Sequence, residues 1–372
     1  MSENTLEGET LKMLYLLLVP LAKYVSFFNI FRYITFRAAY GAVTALILSF
    51  VAGPAIIRRL KRLKVSETIN DDLPEGHRSK SGTPTMGGLI VLLAIVAPVL
   101  LWADLGNRFI QLMLITTLWL GGMGFADDLM KFRRGKGMGG RYKLLGQFLL
   151  GLVVGLSLIF YPFKEGYATR TSLLFLKNYF LDFGWFYIPM LVIVIVGASN
   201  AVNLADGLDG LAIGMVAIAF GAYAVLAYLT GHARISEYLN ILFLPGAGEL
   251  SVYCLAVVGA SLGFLWFNSN PAQVFMGDTG SLALGGAMGT AAVLVKHEML
   301  LLIIGGVFVL EAVSVIVQVL YFKKTHGRRL FRMAPLHHHF ELMGLSEQKI
   351  VVRFWIVAIL CALVGLSTLK IR

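Results

Sequence analysis

Ten apolar runs of membrane-crossing length follow one another through this chain, near 37–57, 86–103, 108–126, 144–161, 185–202, 210–229, 250–267, 279–295, 299–321 and 352–369. A helix needs about 20 apolar residues to cross the hydrocarbon layer. In lipid, every backbone polar group must be satisfied inside the segment. The pattern therefore dictates an all-α, polytopic integral membrane protein with about ten transmembrane helices. A chain of 372 residues would otherwise suggest two or three soluble domains. Here short loops alternate with apolar runs, so residues 1–372 read as a single membrane domain. Only 14% of the residues are charged, against roughly 25% in soluble domains. Residues 11–34 carry Lys23 and Arg32 among aromatics and read as an interfacial segment. The acidic N-terminus lacks a small-residue cleavage site, so no removable signal peptide is expected.

Basic residues set the orientation. They crowd three loops: Arg58 to Lys80, Lys131 to Lys143, and Lys323 to Lys349. With ten spans all three loops share one face, which is then cytoplasmic, and both termini are periplasmic. The other face carries fewer, such as Lys164, Arg170, Lys177, Arg234 and Lys296. The net charge of +11 thus reflects topology, and no nucleic acid is expected as a partner. Two loops without Lys or Arg, "ASNAVNLADGLDG" at 198–210 and "FNSNPAQVFMGDTGS" at 267–281, fall on the same cytoplasmic face. Every unusual polar motif therefore faces one compartment, which favours one active site over a pathway through the membrane. Cys254 and Cys361 both lie in apolar runs without CxxC spacing and read as packed thiols.

The uncharged stretch "FIQLMLITTLWLGGMG" ends in Asp127 and Asp128, followed by six basic residues within fifteen positions. Carboxylates near hydrocarbon are costly and usually functional. Adjacent like charges do not both ionise cheaply, so either one carboxyl pKa rises or a metal cation binds. The plainer reading is a polar helix end paired with Lys131. "NLADGLDG" offers Asn203, Asp206 and Asp209 in a turn-prone loop. Asp206 and Asp209 would share a face if that loop opened a helix; helix capping needs only one of them. In "NSNPAQVFMGDTGSLALGG", Asp278 stands where an apolar helix begins, a setting suited to phosphate or, more plainly, to an N-cap. Hard oxygen ligands select Mg²⁺ or Mn²⁺ over zinc. The histidines of "MAPLHHHFE" point in different directions, so phosphate and substrate hydrogen bonding is preferred for them over zinc. Lys80 reads either as an anion contact or as a snorkelling side chain. Glu311, deep in the ninth span, reads as a helix–helix hydrogen-bonding group.

Together, "FADDLMK", "NAVNLADGLDGLA", "NPAQVFMGDTGSLALGG" and "APLHHHFELMG" resemble the motifs of bacterial phospho-N-acetylmuramoyl-pentapeptide-transferases. These form one branch of the polyprenyl-phosphate N-acetylhexosamine-1-phosphate transferase superfamily. The resemblance spans nearly the whole chain, and the "PLHHHFE" form resembles the muramoyl-pentapeptide branch. It implies that undecaprenyl phosphate attacks UDP-N-acetylmuramoyl-pentapeptide, releasing UMP and leaving lipid I in the bacterial inner membrane, in a Mg²⁺-dependent step of peptidoglycan synthesis. Residue by residue, it implies a catalytic set of Asp127, Asp128, Asp278 and His337. Asp278 would ligate Mg²⁺, and Asp127 would deprotonate or orient the acceptor phosphate with Asp128 in support. Lys80, Lys131 and Lys143 would hold phosphates. Asn203, Asp206, Gly207, Leu208, Asp209, Asn268 and Phe275 would form the nucleotide-sugar pocket, with Phe275 stacking on uracil. His337 would touch the diphosphate, while His338, Gln318 and Ala334 would read the muramoyl-peptide part. A homodimer is left open. Competing readings are a transferase specific for UDP-N-acetylglucosamine and, from another class, a transporter or flippase. A transporter would place its polar site near the bilayer midplane.

Overall fold

The structure is a computed structural model and describes residues 14, 20–64, 80, 82–173 and 179–371. Arg78 and Lys177, part of the orientation argument, lie outside the described residues, as do 11–13 and 15–19 of the expected interfacial segment. The long helices are α1 (Ile34–Arg62), α2 (Gly88–Trp102), α3 (Arg108–Arg134), α4 (Gly140–Phe160), α5 (Tyr187–Ala205) and α6 (Leu211–Thr230). After a short α7 (Ala233–Leu239) come α8 (Leu250–Asn268), α9 (Gly277–Leu294), α10 (Glu298–Ile304), α11 (Gly306–Lys324), the short α12 (Leu336–Leu342) and α13 (Glu347–Ile371). Among the described residues, 8 helices are long and apolar enough to cross a membrane. The chain is a mostly helical, multi-pass membrane protein.

Each expected span falls on helix, with instructive differences. α2 has 15 residues, about 22 Å at 1.5 Å per residue, short of the roughly 30 Å hydrocarbon layer. The ninth span breaks at Gly305 into α10 and α11. The segment between α4 and α5, expected to be a plain loop, holds a small hairpin. There β1 (Arg170–Ser172) pairs antiparallel with β2 (Phe180–Asp182). The described part of the interfacial segment forms two 3₁₀ turns, Pro20–Lys23 and Ser26–Arg32. Tyr24, Phe27 and Tyr33 are exposed there, while Phe31 stacks on Trp102 with ring centroids 5.9 Å apart.

The centre of the molecule is α9. Every residue of this helix from Asp278 to Leu294 is buried. It packs against α3 and α5, and more lightly against α2. Small residues permit such close approach. A Cβ at Gly124 of α3 would collide with the Asp278 carbonyl, and one at Gly285 would press on the backbone of α5. α9 is not among the eight strongly apolar helices. It faces protein rather than lipid, so it can carry Gly, Ser and Thr where a lipid-facing helix needs Leu and Ile.

Candidate active site

Hydropathy placed the end of the third span at residue 126, but α3 continues to Arg134 and stops at Gly135, whose φ of 67° is left-handed. Asp127 and Asp128 therefore sit inside a helix, two turns before its end, and both are buried. This corrects the expectation that they terminate it. The residues after them are sound helix formers, so the loss of hydrophobicity did not end the helix.

Asp128 reaches the start of α9. Its carboxylate accepts from Asp278 N at 3.1 Å, from Thr279 N at 2.9 Å and from Thr279 Oγ1 at 2.6 Å. The cap that sequence reading considered for Asp278 is thus supplied by Asp128 from another helix. Gly277, with φ of 71°, makes the turn into α9, and a Cβ there would press on Asp128 Oδ2. Asp278 is left facing the carboxylates of α3. One carboxylate oxygen from each of Asp127, Asp128 and Asp278 lies within 4.8 Å of the other two.

Two lysines join them. Lys131 Nζ is 2.9 Å from Asp127 Oδ2 and 3.1 Å from Asp278 Oδ1. Lys143, from the first turn of α4, places Nζ 2.8 Å from Asp127 Oδ2 and also bonds Asp278 Oδ2. The plainer reading of Asp127, a pairing with Lys131, is realised within a larger cluster. Burial alone would raise the Asp278 carboxyl. The ammonium groups of Lys131 and Lys143 prevail, holding it well below the usual carboxylate range. Counted formally, three acids face two ammonium groups, a surplus of one negative charge. An all-oxygen donor set with surplus negative charge fits a hard divalent cation such as magnesium. Asn203 at the end of α5 closes the cluster, donating to Asp278 Oδ1 at 3.1 Å and Ser281 Oγ at 2.8 Å.

A second network lies on the loops beside it. Lys80 Nζ bonds Asp209 Oδ1 at 2.8 Å and Glu347 Oε1 at 2.6 Å. Asp209 Oδ2 also accepts from Ala272 N and Asn270 Nδ2, and Glu347 accepts from Asp209 N. Asn268 Oδ1 takes Gly210 N, while its Nδ2 donates to Val274 O. The loops 206–210 and 268–275 are therefore tied together, with Leu208 buried and Phe275 half-buried between turns. Since α6 starts only at Leu211, Asp206 and Asp209 are not on a shared helix face.

The three histidines sit on α12 and take three different partners. His337 Nδ1 is 3.1 Å from Glu311 Oε2, and His338 Nδ1 is 2.7 Å from Glu341 Oε2. His339 Nδ1 accepts from Arg332 N at 3.1 Å. This divergence agrees with the preference against a shared metal. Gln318 does not stand free: its Oε1 accepts from Leu330 N and Phe331 N, pinning the loop before α12. Gln318 and Ala334 line a cavity of about 410 Å³ with Phe322, Lys323 and Arg329 on its walls.

The structure thus brings Asp127, Asp128, Asp278, Lys131, Lys143 and Asn203 into one cluster, and Lys80, Asp209 and Asn268 into the adjoining network. Sequence reasoning missed Glu347, Asn270 and Glu341. Glu347 opens the last helix, where an acid reads as an ordinary dipole partner. Glu341 follows His338 by three positions, a spacing that signals contact on a helix.

Comparison with known proteins adds a separate line. Residues 110–296 match the model of glycosyl transferase family 4. Residues 80–92 match signature 1 of phospho-N-acetylmuramoyl-pentapeptide-transferase. A protein of Geobacter sp. (strain M21) called phospho-N-acetylmuramoyl-pentapeptide-transferase is 55% identical over 362 residues, covering 97% of this chain and 100% of its own length. Proteins of the same name from Citrifermentans bemidjiense and Thermodesulfovibrio yellowstonii are 54% and 52% identical over the same shares.

Proposed function

This chain belongs to the phospho-N-acetylmuramoyl-pentapeptide-transferase family, and from that premise we propose that it transfers phospho-N-acetylmuramoyl-pentapeptide from its UDP-linked donor to undecaprenyl phosphate. The products are lipid I and UMP, a step of peptidoglycan synthesis on which cell-wall biogenesis, cell shape and division depend. The observation that carries the reading is the meeting of Asp127, Asp128 and Asp278 with Lys131 and Lys143 at one end of the helix bundle. A lipid phosphate and a water-soluble nucleotide meet only at an interface. In this reading that end faces the cytoplasm, both termini are periplasmic, and the membrane is the inner membrane.

Joining two phosphates gathers negative charge, and the site must stabilise it in the transition state. Asp278, with Asp127 and Asp128 beside it, would hold Mg²⁺. When bound, the ion supplies Lewis-acid stabilisation of phosphoryl oxygens. Lys131 and Lys143 neutralise phosphate oxygens and hold the acceptor near Asp127, which orients or deprotonates it. Asp128 fixes the start of α9 and with it the direction of Asp278. Asn203, Asp206, Gly207, Leu208, Asp209, Asn268 and Phe275 form the nucleotide-sugar pocket, with Lys80 tying its loops. His337 meets the diphosphate, and His338, Gln318 and Ala334 meet the muramoyl-peptide part. Direct attack suffices, because a positioned lipid phosphate is already a competent nucleophile.

The test is UMP release by purified protein in detergent with Mg²⁺, undecaprenyl phosphate and UDP-N-acetylmuramoyl-pentapeptide. Release is expected with this donor, to stop on chelation, and to return with added Mg²⁺. Turnover with UDP-N-acetylglucosamine instead would assign the chain to another branch. No release without sealed vesicles would favour the transporter. Exchange of labelled UMP into donor in the absence of lipid phosphate would point to a covalent intermediate.

A further inference from the structure

Glu311 lies in the second turn of α11 and is fully buried. A carboxylate in an apolar helix is costly, and its presence asks for a reason beyond helix packing. Its two oxygens are spent on one residue. Glu311 Oε1 accepts from His337 N at 3.2 Å, and Oε2 lies 3.1 Å from His337 Nδ1. An ionised carboxylate only accepts hydrogen bonds. With Glu311 in that form both of its oxygens accept, so Nδ1 carries the ring proton and the pair fixes the ring plane.

That leaves Nε2 as the outward end of the ring. It is buried and has no hydrogen-bond partner. It lies against Gly207, where a Cβ would overlap it. Gly207 is half-buried and stands in the loop 206–210 that joins α5 to α6. The backbone of Gly207 thus lies next to a buried ring nitrogen that has no hydrogen-bond partner. Buried polar atoms are rarely left unsatisfied, and the exceptions mark a missing partner. The neighbouring histidines differ. His338 takes its acid from its own helix, and His339 Nδ1 accepts from a backbone N–H. Glu311 reaches its histidine from a different helix, 26 residues away in sequence.

We propose that Glu311 is a positioning residue: it holds His337 with Nδ1–H turned inward, so that Nε2 is presented across Gly207 to the bound nucleotide-sugar donor. The proposal rests on the transferase reading above. A glutamine at 311 could still accept from His337 N. Its amide would then donate to Nδ1, moving the ring proton to Nε2 and reversing what the ring presents.

The test compares purified full-length wild type with Glu311→Gln, Glu311→Asp and His337→Asn. UMP release is measured at varied donor concentration, and histidine ring ¹⁵N spectra are recorded alongside. Glu311→Gln is expected to lower kcat on the order of tenfold to a hundredfold, as loss of a residue that orients a functional histidine does, while changing donor KM much less. Glu311→Asp should recover part of the loss. In the wild-type spectrum one ring with Nδ1 protonated and Nε2 bare should be present and should vanish in His337→Asn. Wild-type kcat in a folded Glu311→Gln variant would overturn the proposal. If that variant does not fold, absence of the Nδ1–H signature from the wild type would overturn it instead. A wild type that binds no donor and releases no UMP would sink the transferase reading, whereas the ring signature would still report on the pair.

Discussion

The two ends of α9 each hold a buried cluster of acids and lysines, yet they are built to opposite plans. At the end where α9 begins, Asp278 meets Asp127, Asp128, Lys131 and Lys143, and the Lys131 side chain is 45% exposed. Beyond its other end, Lys296 and Glu298 are only 4% and 2% exposed. There Lys296 Nζ donates to Ala168 O at 2.7 Å and Tyr187 Oη at 2.8 Å, while Glu298 accepts from Tyr187 Oη and Thr171 Oγ1. One acid balances one base, and hydroxyl groups close the remainder. In this closed cluster burial prevails, pushing Lys296 down to about 8. At Asp278 of the open cluster the ammonium groups of Lys131 and Lys143 prevail over burial and hold its carboxyl low. A buried charge is therefore a poor sign of a reactive site by itself. Excess charge of one sign with a route to solvent is the better sign.

The largest expected effect tests the open end. Asp278→Asn should cut kcat about a thousandfold, the scale of losing a key electrostatic group, while its thermal unfolding stays close to wild type. Near-normal turnover in this variant would remove Asp278 from the chemistry. The closed end should answer in stability. Glu298→Ala removes the acid that Tyr187 Oη links to Lys296, leaving a buried charge without its counter-charge, and should cost on the order of 3 kcal/mol, with turnover per folded molecule unchanged. A stable Glu298→Ala variant with impaired turnover would show that the two ends are coupled and would break the contrast. Smallest is the stability change in Lys131→Met. Its partly exposed pair should contribute less than about 1 kcal/mol, although UMP release should fall. Denaturation and turnover measured on the same preparation would check both halves.

Much of this was legible from residue order alone. Apolar runs placed the helices because lipid leaves few alternatives. The aspartate motifs announced the open cluster because paired carboxylates beside hydrocarbon need a cation. The N-cap by Asp128 was not legible, since capping was considered only within one helix and this cap crosses between two. The hydrogen bonds of Lys80 with Asp209 and Glu347 were hidden for a similar reason: they join segments 129 and 267 positions apart. Glu311 was read as a contact between spans, and its partner turned out to be a histidine already singled out. The hairpin between α4 and α5 was missed because strands of three residues carry too little periodicity to register.

The glycine seams of α9 also bear on how this protein can vary. Where main chain rests on main chain, the spacing between Asp278 and the acids of α3 is set by the thickness of the polypeptide itself. No rotamer change can absorb an intruding methyl there. Substitutions on the lipid-facing surfaces of α11 and α13 can drift with membrane composition. The axis of the molecule works instead as a fixed gauge, and an added carbon at Gly124 or Gly285 would be felt as a displaced reaction centre before it was felt as a misfolded chain.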